Sequence, residues 1–359
     1  MGTGTITEVT PILPELSPFD PPPGPQVVAP LPSDRPVRWG ILATGKIAHS
    51  FARDLALLPD AEIAAVGSRK LPAAEEFAAE YDVAAAYGSY EELVADAAVD
   101  VVYVATPHAL HRENVLMAFD AGKPVLCEKA LTLNARDAEE LVSVARHRNL
   151  FFMEAMWMRC NPVIRRLQQL TAGGHLGQIH QVRADLGSFV DLPDTDRMLA
   201  PELGGGALLD MGVYALTFAH LFLGEPDQVE AVATLAPSGI DLNISLSLRY
   251  DRGAVASLSS TMTARSPCTA SIATDLGRVD LAAPFHQPTS ATWVSSGKTQ
   301  EVTEDVIGTG LSNEALEVIR CLRNGETESP LVPLDESVSL MRLMDRIRHK
   351  IGVHYPVSD

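Results

Sequence analysis

The sequence predicts an α/β fold with two parts: a doubly wound parallel sheet, then an α/β domain with a large open, mainly antiparallel sheet. Three observations lead to this prediction. From residue 37 to about 155, short apolar runs alternate with helical stretches; a glycine turn links the first run to its helix; and beyond residue 155 longer strand-like runs follow one another. A chain of 359 residues has room for two or three such domains.

We divide the chain into residues 1–36, 37–155 and 156–359. Ten prolines crowd the first 36 residues and prevent a regular helix or central strand. That segment is therefore a Pro-rich disordered tail, or else an extended arm laid over the body or a partner subunit. The second segment is the doubly wound domain. The third is a substrate-binding and dimerisation domain whose last helices can pack back on the second.

In the doubly wound domain, strands and helices alternate in the order that a parallel sheet requires. Asn134 precedes the last predicted helix and is a good N-cap. The predicted strands are 37–42, 62–67, 99–106, 124–128 and 150–153, and the predicted helices are 46–58, 71–81 and 135–148. Ligands of such a sheet bind at the carboxyl ends of its strands.

In the third segment, residues 242–250 alternate strictly between apolar side chains and small or polar ones. One face of this strand therefore covers a core, while the other meets solvent or the same sheet of a second subunit. The predicted strands here are 179–189, 227–235, 242–250, 254–263 and 270–281, and helices at 313–323 and 334–350 close the chain.

Composition excludes several classes of partner. A net charge of -18 argues against nucleic acid and anionic membrane, so the expected partner is a small molecule. No apolar stretch is long enough to span a membrane, and we expect a cytoplasmic protein. The cysteines are too far apart for a zinc site or a disulfide framework: Cys127, Cys160, Cys268 and Cys321.

The run Trp-Gly-Ile-Leu-Ala-Thr-Gly-Lys-Ile-Ala-His at residues 39–49 turns from a strand into a helix. A helix N-terminus offers free N–H groups and a partial positive charge, which suit a pyrophosphate. A glycine-rich turn made only for packing is the alternative. Ala43 stands where the dinucleotide pattern has its middle glycine. The candidate cofactor-binding residues in this turn are Gly40, Ala43, Thr44, Gly45, Lys46 and Ile47.

The second strand ends in Ser68-Arg69-Lys70, where such a fold meets the adenosine ribose. Arginine suits a 2′-phosphate, whereas an acidic residue would bind a 2′-hydroxyl, so we expect NADP, with NAD still possible. A solvated basic turn is the alternative. The strand ending Ala105-Thr106-Pro107-His108 faces the nicotinamide half, with His111 as a helix-start or cofactor-contact residue. A metal pair of His108 and His111 lacks a third ligand, so we expect no metal site.

Two further motifs carry candidate catalytic groups. Glu128-Lys129 ends a strand, and Lys129 is a credible catalytic cation, unless it is a surface lysine paired with Glu128. After three glycines, Asp210 and Tyr214 are four residues apart and share one helical face. Tyr214 accepts a proton only if a cation such as Lys129 stabilises its phenolate; otherwise it is a buried aromatic residue.

These motifs together resemble the glucose-fructose oxidoreductase/inositol dehydrogenase (Gfo/Idh/MocA) family, and within it the dimeric dihydrodiol dehydrogenases, which also act as NADP-dependent D-xylose 1-dehydrogenases. The resemblance extends from residue 38 to 353. It is carried by Gly40-x-x-Ala43-x-Gly45-x-x-Ala48, Thr106-Pro107 with His111, the run 122–129 and the run 204–214, and by Tyr87-Gly88-Ser89-Tyr90-Glu91-Glu92-Leu93 and Met153-Glu154-Ala155-Met156-Trp157-Met158-Arg159 for the subgroup.

The resemblance implies a Rossmann domain followed by a domain whose open sheet forms a dimer interface. It also implies that Lys129 positions the substrate hydroxyl, that Tyr214 is the acid/base where many relatives have histidine, and that Asp210 supports both. Trp157 and Arg159 would line the substrate pocket. The family has proline where Ala130 follows Lys129. A cis bond before a non-proline residue costs about 2.5–4 kcal/mol, so we expect trans here.

The expected function is NADP-dependent hydride transfer between nicotinamide and a secondary alcohol or carbonyl of a cyclic polyol, at C1 of an aldose or in a trans-dihydrodiol. Two alternatives stay open: a glycoside hydrolase of the same superfamily that recycles bound NAD, and a cofactor-binding sensor without catalysis. Arg69 argues against the first, and Ala130 makes the second conceivable. We expect a homodimer, or a higher homo-oligomer, formed through the C-terminal sheet.

Overall fold

A computed structural model describes residues 13–14, 24 and 28–356. Six parallel strands form the first sheet in the order β3-β2-β1-β4-β5-β6, as a doubly wound fold requires. The strands are β1 (Val37–Leu42), β2 (Ala61–Gly67), β3 (Ala85–Tyr87), β4 (Val101–Val104), β5 (Val125–Glu128) and β6 (Phe152–Ala155). The strand order reverses between β1 and β4, and the carboxyl edge there is where such folds bind ligands.

Helices connect these strands and cover both faces of the sheet. Bulky side chains such as Trp39, Phe51 and Tyr103 fill the interior and are fully buried. The helices are α1 (Lys46–Leu55), α2 (Leu71–Tyr81), α3 (Tyr90–Ala95), α4 (His111–Asp120) and α5 (Ala135–Arg148). The bounds predicted for α2 and α5 are confirmed, as is the Asn134 cap, whose side chain accepts a bond from the Asp137 N–H. Helix α1 ends at Leu55, three residues earlier than predicted.

After α6 (Pro162–Ala172), eight strands form a second sheet in the order β14-β13-β12-β11-β7-β10-β9-β8. Only β7 and β10 pair in parallel; the other pairings are antiparallel, as predicted for this sheet. The strands are β7 (Ile179–Gly187), β8 (Gln228–Leu235), β9 (Asp241–Arg249), β10 (Val255–Thr261), β11 (Ala270–Thr274), β12 (Arg278–Leu281), β13 (Ser290–Ser295) and β14 (Lys298–Thr303).

The single strand predicted over 270–281 is therefore a hairpin of β11 and β12. Gly277 lies just after the turn, where an added Cβ would be 2.3 Å from the Val294 carbonyl oxygen. Strands β13 and β14 were missing from the prediction because their alternation is short and polar.

Three later helices pack either on one face of the second sheet or on helices of the first domain. They are α7 (Val213–Leu223), α8 (Leu311–Asn324) and α9 (Leu334–Ile351). Helix α7 packs on the second sheet, α8 packs on α1, and α9 packs on α5. Asp54 of α1 accepts hydrogen bonds from the N–H groups of Thr309 and Ser312, which fixes the start of α8. The last two helices thus contact both the first domain and the second sheet.

The helical segment Pro201–Leu223 is long and apolar enough to cross a membrane by length and composition. Its most apolar window is 78% buried inside the molecule, which is the environment of a core helix.

Most of the Pro-rich segment predicted over 1–36 lies outside the described residues. Those that are described contact the body. The Leu13 N–H donates to Gln300, the N–H groups of Val28 and Leu31 donate to carbonyls near the end of α8, and Arg35 pairs with Asp100.

Candidate active site and cofactor cleft

A cavity of about 960 Å³ lies at the carboxyl edge of the first sheet and reaches the second sheet. Residues 43–47, 68–69, 105–108 and 128–129 line it from the first sheet. Trp157, Asp210, Tyr214 and His286 line it from the rest of the chain. Most of the candidate residues predicted from the sequence therefore line one cavity, although they lie far apart in the chain.

The turn between β1 and α1, whose residues 43–47 line the cavity, has free backbone N–H groups at the start of the helix. Helix α1 begins at Lys46, and its N-cap Gly45 has no side-chain hydrogen bond to satisfy the first N–H groups. A Cβ added at Gly45 would meet nothing within 4 Å, so the backbone is open to a ligand. Free N–H groups at a helix N-terminus fit a pyrophosphate. The turn therefore suits a dinucleotide.

Two residues of this turn have structural roles. Gly40 lies inside β1, where an added Cβ would be 2.9 Å from the Val99 side chain, and it does not line the cavity. Ala43 has a φ of 88°, a conformation that favours glycine, and its N–H donates to the Gly67 carbonyl at 3.0 Å. The backbone thus keeps the glycine conformation of the family pattern even though the residue is alanine.

Ser68 and Arg69 line the far end of the cavity beside Tyr90. Burial raises the pKa of Tyr90, and the adjacent Arg69 cation opposes that rise. Lys70 is exposed, caps α2 and is not a lining residue. Of the two neighbouring cations, only Arg69 lines the cavity.

His108 and His111 are buried and brace the loop that carries Lys129. The ring nitrogens of His108 face the carbonyls of Gly204 and Lys129, and those of His111 face the carbonyls of Thr106, Ala130 and Leu131. Burial lowers the pKa of His108 to about 3 and that of His111 to about 4. His111 begins α4 and does not line the cavity. No group of three potential metal ligands occurs among the described residues.

The peptide bond between Lys129 and Ala130 is cis, so the expected trans bond is wrong. The carbonyl groups on both sides of this bond face His108 and His111, and the Leu131 N–H donates to Glu154. The expectation of a trans bond rested on local sequence preference alone. It took no account of these contacts, which come from three separate elements of the fold.

Lys129, Asp210 and Tyr214 converge at the inner end of the cavity. The Lys129 Nζ donates to the Asp210 carbonyl oxygen at 2.6 Å and lies 3.6 Å from its carboxylate Oδ1. The same ammonium lies 4.8 Å from the centroid of the Tyr214 ring. Although burial would raise the pKa of Asp210, the cations of Lys129 and Arg197 lower it, so this carboxylate stays ionised. Lys129 is thus paired with Asp210 and not with the side chain of Glu128.

The Tyr214 hydroxyl accepts a hydrogen bond from the Trp157 indole at 2.6 Å. This bond leaves the phenolic proton and a second lone pair of Tyr214 for a substrate. Burial and the carboxylates of Glu128 and Asp210 raise the pKa of Tyr214 well above its usual value, against the lowering effect of Trp157. Lys129 lies over the ring face rather than at the hydroxyl. At rest Tyr214 is therefore a phenol.

Glu128 lines the cavity but has buried partners. Its carboxylate accepts hydrogen bonds from the Tyr103 hydroxyl and, at 3.2 Å, from the Lys129 N–H. Burial raises the pKa of Glu128. The side chain therefore helps to hold the strand end from which Lys129 extends.

The expectation that Arg159 lines the substrate pocket is wrong. Its guanidinium is buried, pairs with Glu336 of α9 and donates to the Leu331 carbonyl at 2.8 Å. Trp157, two residues earlier, does line the cavity. The short 3-10 helix Trp157–Cys160 turns the two side chains in different directions.

Several lining residues were missed by sequence reasoning, and two of them contact the candidate catalytic residues. Arg197 comes from the loop before the three glycines and donates to the Asp210 carboxylate at 3.0 Å. His286 lies in the loop between β12 and β13, and its ring lies 4.8 Å from that of Tyr214 and 5.6 Å from that of Trp157. Neither residue belongs to a motif, so the sequence offered no signal for them beyond the residue types.

Comparisons with known proteins agree with this fold. Residues 37–156 match the model of the oxidoreductase family with an NAD-binding Rossmann fold, and residues 164–280 match the GFO/IDH/MocA C-terminal domain. A trans-1,2-dihydrobenzene-1,2-diol dehydrogenase of Xenopus tropicalis is 38% identical over 331 residues, covering 89% of this chain and 99% of that protein. The Homo sapiens enzyme of the same name is 37% identical over 332 residues, covering 89% and 98%.

Solved structures give the same fold. The 3-ketoreductase KijD10 of Actinomadura kijaniata, in complex with NADP and TDP-benzene, is 26% identical with a TM-score of 0.78, covering 88% of this chain and 98% of that chain. The aldose-aldose oxidoreductase of Caulobacter crescentus shares the fold at a TM-score of 0.81 and 23% identity, covering 89% and 98%.

Proposed function

Because the chain belongs to the GFO/IDH/MocA family of oxidoreductases and is an NAD(P)-dependent dehydrogenase, we propose that it uses NADP to oxidise a secondary alcohol of a cyclic polyol. The substrate is an aldose oxidised at C1 or a trans-dihydrodiol, and the reverse reduction uses the same groups. The observation that carries this proposal is the convergence of Lys129, Asp210 and Tyr214 at one end of a cavity whose other end suits a dinucleotide phosphate.

The residues divide the proton chemistry between them. The bound cofactor supplies the hydride acceptor. In the oxidation, the Tyr214 phenol first releases its own proton to solvent, and the phenolate then takes the hydroxyl proton of the alcohol, while Lys129 holds the oxygen as its negative charge develops. Asp210 holds Lys129 in position, because its carboxylate lies 3.6 Å from the ammonium. In the reduction, the Tyr214 phenol returns its proton to the carbonyl oxygen, so protons and electrons balance in both directions.

The preference for NADP is supported by Arg69 and by the absence of an acidic side chain at the end of β2, where the sequence is Ser68-Arg69-Lys70. A guanidinium binds a phosphate through paired, charge-assisted hydrogen bonds. The related KijD10 has NADP bound in its structure.

A Tyr214→Phe variant tests the assignment. We expect it to bind NADPH as the unaltered protein does, while kcat for polyol oxidation falls by about 10²–10⁴-fold because the proton acceptor is gone. Net NADPH formation, followed by absorbance with aldoses and a trans-dihydrodiol, also separates a dehydrogenase from an enzyme that recycles its cofactor. Tyr87→Phe is a matched control, since the Tyr87 hydroxyl donates to Asp96 and does not line the cavity. Equal turnover in both variants would reject Tyr214 as the acid/base.

We also propose that the second sheet pairs with a second copy of the chain. Its face opposite α7 and α9 leaves Val232, Leu235 and Val255 exposed, with Val232 71% accessible. Apolar side chains on an open sheet face are typical of an interface between subunits. Light scattering should give the mass of a homo-oligomer, and Val232→Lys should lower that mass. A monomeric unaltered protein would reject this proposal.

A further inference from the structure

Asp241, at the start of β9, is a buried carboxylate that the reaction above does not use. Its side chain is fully buried, and its Oδ2 accepts a hydrogen bond of 2.6 Å from the Leu208 N–H. Its other oxygen, Oδ1, has no hydrogen-bond partner among the described residues. Burial raises the pKa of Asp241 to about 6, against the Leu208 N–H, its own N–H and the Arg348 cation of α9, so the side chain is a carboxylate at pH 8. Because a half-paired buried carboxylate is costly, its presence points to a role beyond packing.

Leu208 begins the helical segment that carries both candidate catalytic groups of the second domain. Residues Leu208–Gly212 form a π-helical turn that includes Asp210, and α7 continues from it with Tyr214. The first N–H groups of a helix have no partner within the helix, and the residue before this turn is an alanine, which offers no side-chain acceptor. Asp241, 33 residues further along the chain, supplies the missing acceptor. Its negative charge also suits the positive end of the helix.

The last of the three glycines before this turn allows Asp241 to come so close. Gly206 has a φ of 128°, and a Cβ added there would be 2.4 Å from the Asp241 Oδ1. Any other residue at position 206 would therefore be strained and would push the carboxylate away from the Leu208 N–H. The glycine motif and the aspartate thus form one capping arrangement, although they lie in different parts of the sequence.

The peptide bond between Ala207 and Leu208 is held at both of its polar groups. The Ser260 hydroxyl of β10 lies 3.3 Å from the Ala207 carbonyl oxygen, but it also donates to the Leu186 carbonyl at 2.9 Å. The Asp241 carboxylate holds the N–H side at 2.6 Å and has no competing donor among the described side chains. A charge-assisted hydrogen bond is roughly twice as strong as a neutral one. Asp241 is therefore the stronger of the two holds.

From this arrangement we infer that Asp241 is a positioning residue, whose carboxylate holds the π-helical turn that aims Asp210 at Lys129 and Tyr214 at the substrate. The inference rests on the proposed function, in which Lys129 and Tyr214 contact the reacting oxygen. π-helical turns are rare and frequently lie at functional sites, and this one is capped only from a distant strand. Without Asp241 the buried Leu208 N–H has no acceptor, so we expect the turn to shift and to carry both side chains with it.

Two substitutions of Asp241 test the inference at pH 8 with NADP. The substrate is D-xylose or trans-1,2-dihydrobenzene-1,2-diol, whichever the unaltered protein oxidises. We expect kcat to fall about 100-fold in Asp241→Ala, which has no acceptor, and about tenfold in Asp241→Asn, which keeps a neutral one. The dissociation constant of NADPH should change less than about threefold, because Asp241 does not line the cavity.

Asn134→Ala is the matched control. It removes the buried cap of α5, a helix whose residues do not line the cavity. It should lower the thermal midpoint without lowering kcat. Amide hydrogen exchange over residues 204–214 supplies a readout that does not depend on turnover. Exchange in this segment should be faster in both Asp241 variants and unchanged in Asn134→Ala.

The outcomes distinguish this inference from the proposed function. Faster exchange over 204–214 with a graded loss of kcat and intact NADPH binding supports the inference. Unchanged exchange, unchanged kcat, or an equal loss of kcat in Asn134→Ala overturns it and leaves the dehydrogenase assignment standing. If Asp241→Ala does not fold, Asp241→Asn decides by the same two readouts. Oxidation of neither substrate by the unaltered protein overturns the proposed function and this inference with it.

Discussion

Replacing Arg69 by serine is the sharpest test of the cofactor assignment. Arg69 lines the cavity at the end of β2, while Lys70, the next residue, does not. If Arg69 binds a 2′-phosphate, the Arg69→Ser variant loses charge-assisted hydrogen bonds to NADPH. It loses no such bonds to NADH, which has a hydroxyl at that position.

The size of the loss follows from the exposure of the side chain. A hydrogen bond to a charged group contributes about 1.5–3 kcal/mol, and Arg69 is exposed, so solvent screening favours the lower end of that range. A loss of about 1.5–2 kcal/mol corresponds to a rise of about 10–30-fold in the dissociation constant of NADPH. Added salt should reduce the difference, because screening weakens the contact in the unaltered protein.

The assay is titration of intrinsic fluorescence with NADPH and NADH, with Lys70→Ser as the matched control. We expect the NADPH constant to rise in Arg69→Ser alone and the NADH constant to change less than about threefold. The reasoning is refuted if Lys70→Ser weakens NADPH binding as much, or if Arg69→Ser weakens both cofactors equally. The first result would indicate a diffuse basic surface, and the second a structural role for Arg69.

Three further predictions address the corrected and unusual residues. Ala43→Gly should stabilise the fold by up to about 1 kcal/mol, because a positive φ costs alanine about 1–2 kcal/mol and glycine adds about 0.5–1 kcal/mol of chain entropy; a lower urea midpoint would contradict this. Arg159→Met should cost about 1–3 kcal/mol of stability by breaking its contacts with Glu336 and Leu331, and should leave the polyol KM unchanged; a raised KM in a stable variant would return Arg159 to the pocket. His108 has a pKa of about 3 when folded and about 6.5 when unfolded, so its contribution is complete above pH 6.5 and is lost as pH falls towards 3. Between pH 7 and 5 the unfolding free energy should fall by about 2 kcal/mol less in His108→Gln than in the unaltered protein. Urea titrations at both pH values measure this difference, and an equal fall in the two proteins would contradict the prediction.

The parts of the fold that sequence could predict are those that local pattern determines. Strand β1 and helices α2 and α5 have their predicted bounds, since buried runs and helical periodicity are complete within each segment. The positions of Lys129 and Tyr214 followed from motifs at strand and helix ends. Weakly alternating strands such as β13 and β14 had no such signal.

The parts that could not be predicted depend on contacts between distant segments. Arg159 is held by Glu336, which is 177 residues away in the chain, so its motif could not show where the guanidinium points. His286 reaches Tyr214 only because the loop after β12 folds over the start of α7. The cis bond at Lys129 is flanked by two histidines from the segment that follows β4 and begins α4. Residue types identified the chemistry, and tertiary contacts decided which groups share the cavity.

Net charge and local charge act over different distances in this molecule. A net charge of -18 argued against polyanionic partners, yet the cavity suits a dinucleotide phosphate. At physiological ionic strength, interactions between exposed charges fade over about 8 Å, so the acidic exterior does little to a phosphate in contact with the N-terminus of α1. There, free N–H groups and Arg69 set the local field. At the other end, the cations of Lys129 and Arg197 share the Asp210 carboxylate beside the reacting oxygen. A polyanion as large as nucleic acid must meet the whole surface, whereas a cofactor meets only these few groups, so the two conclusions from charge are compatible.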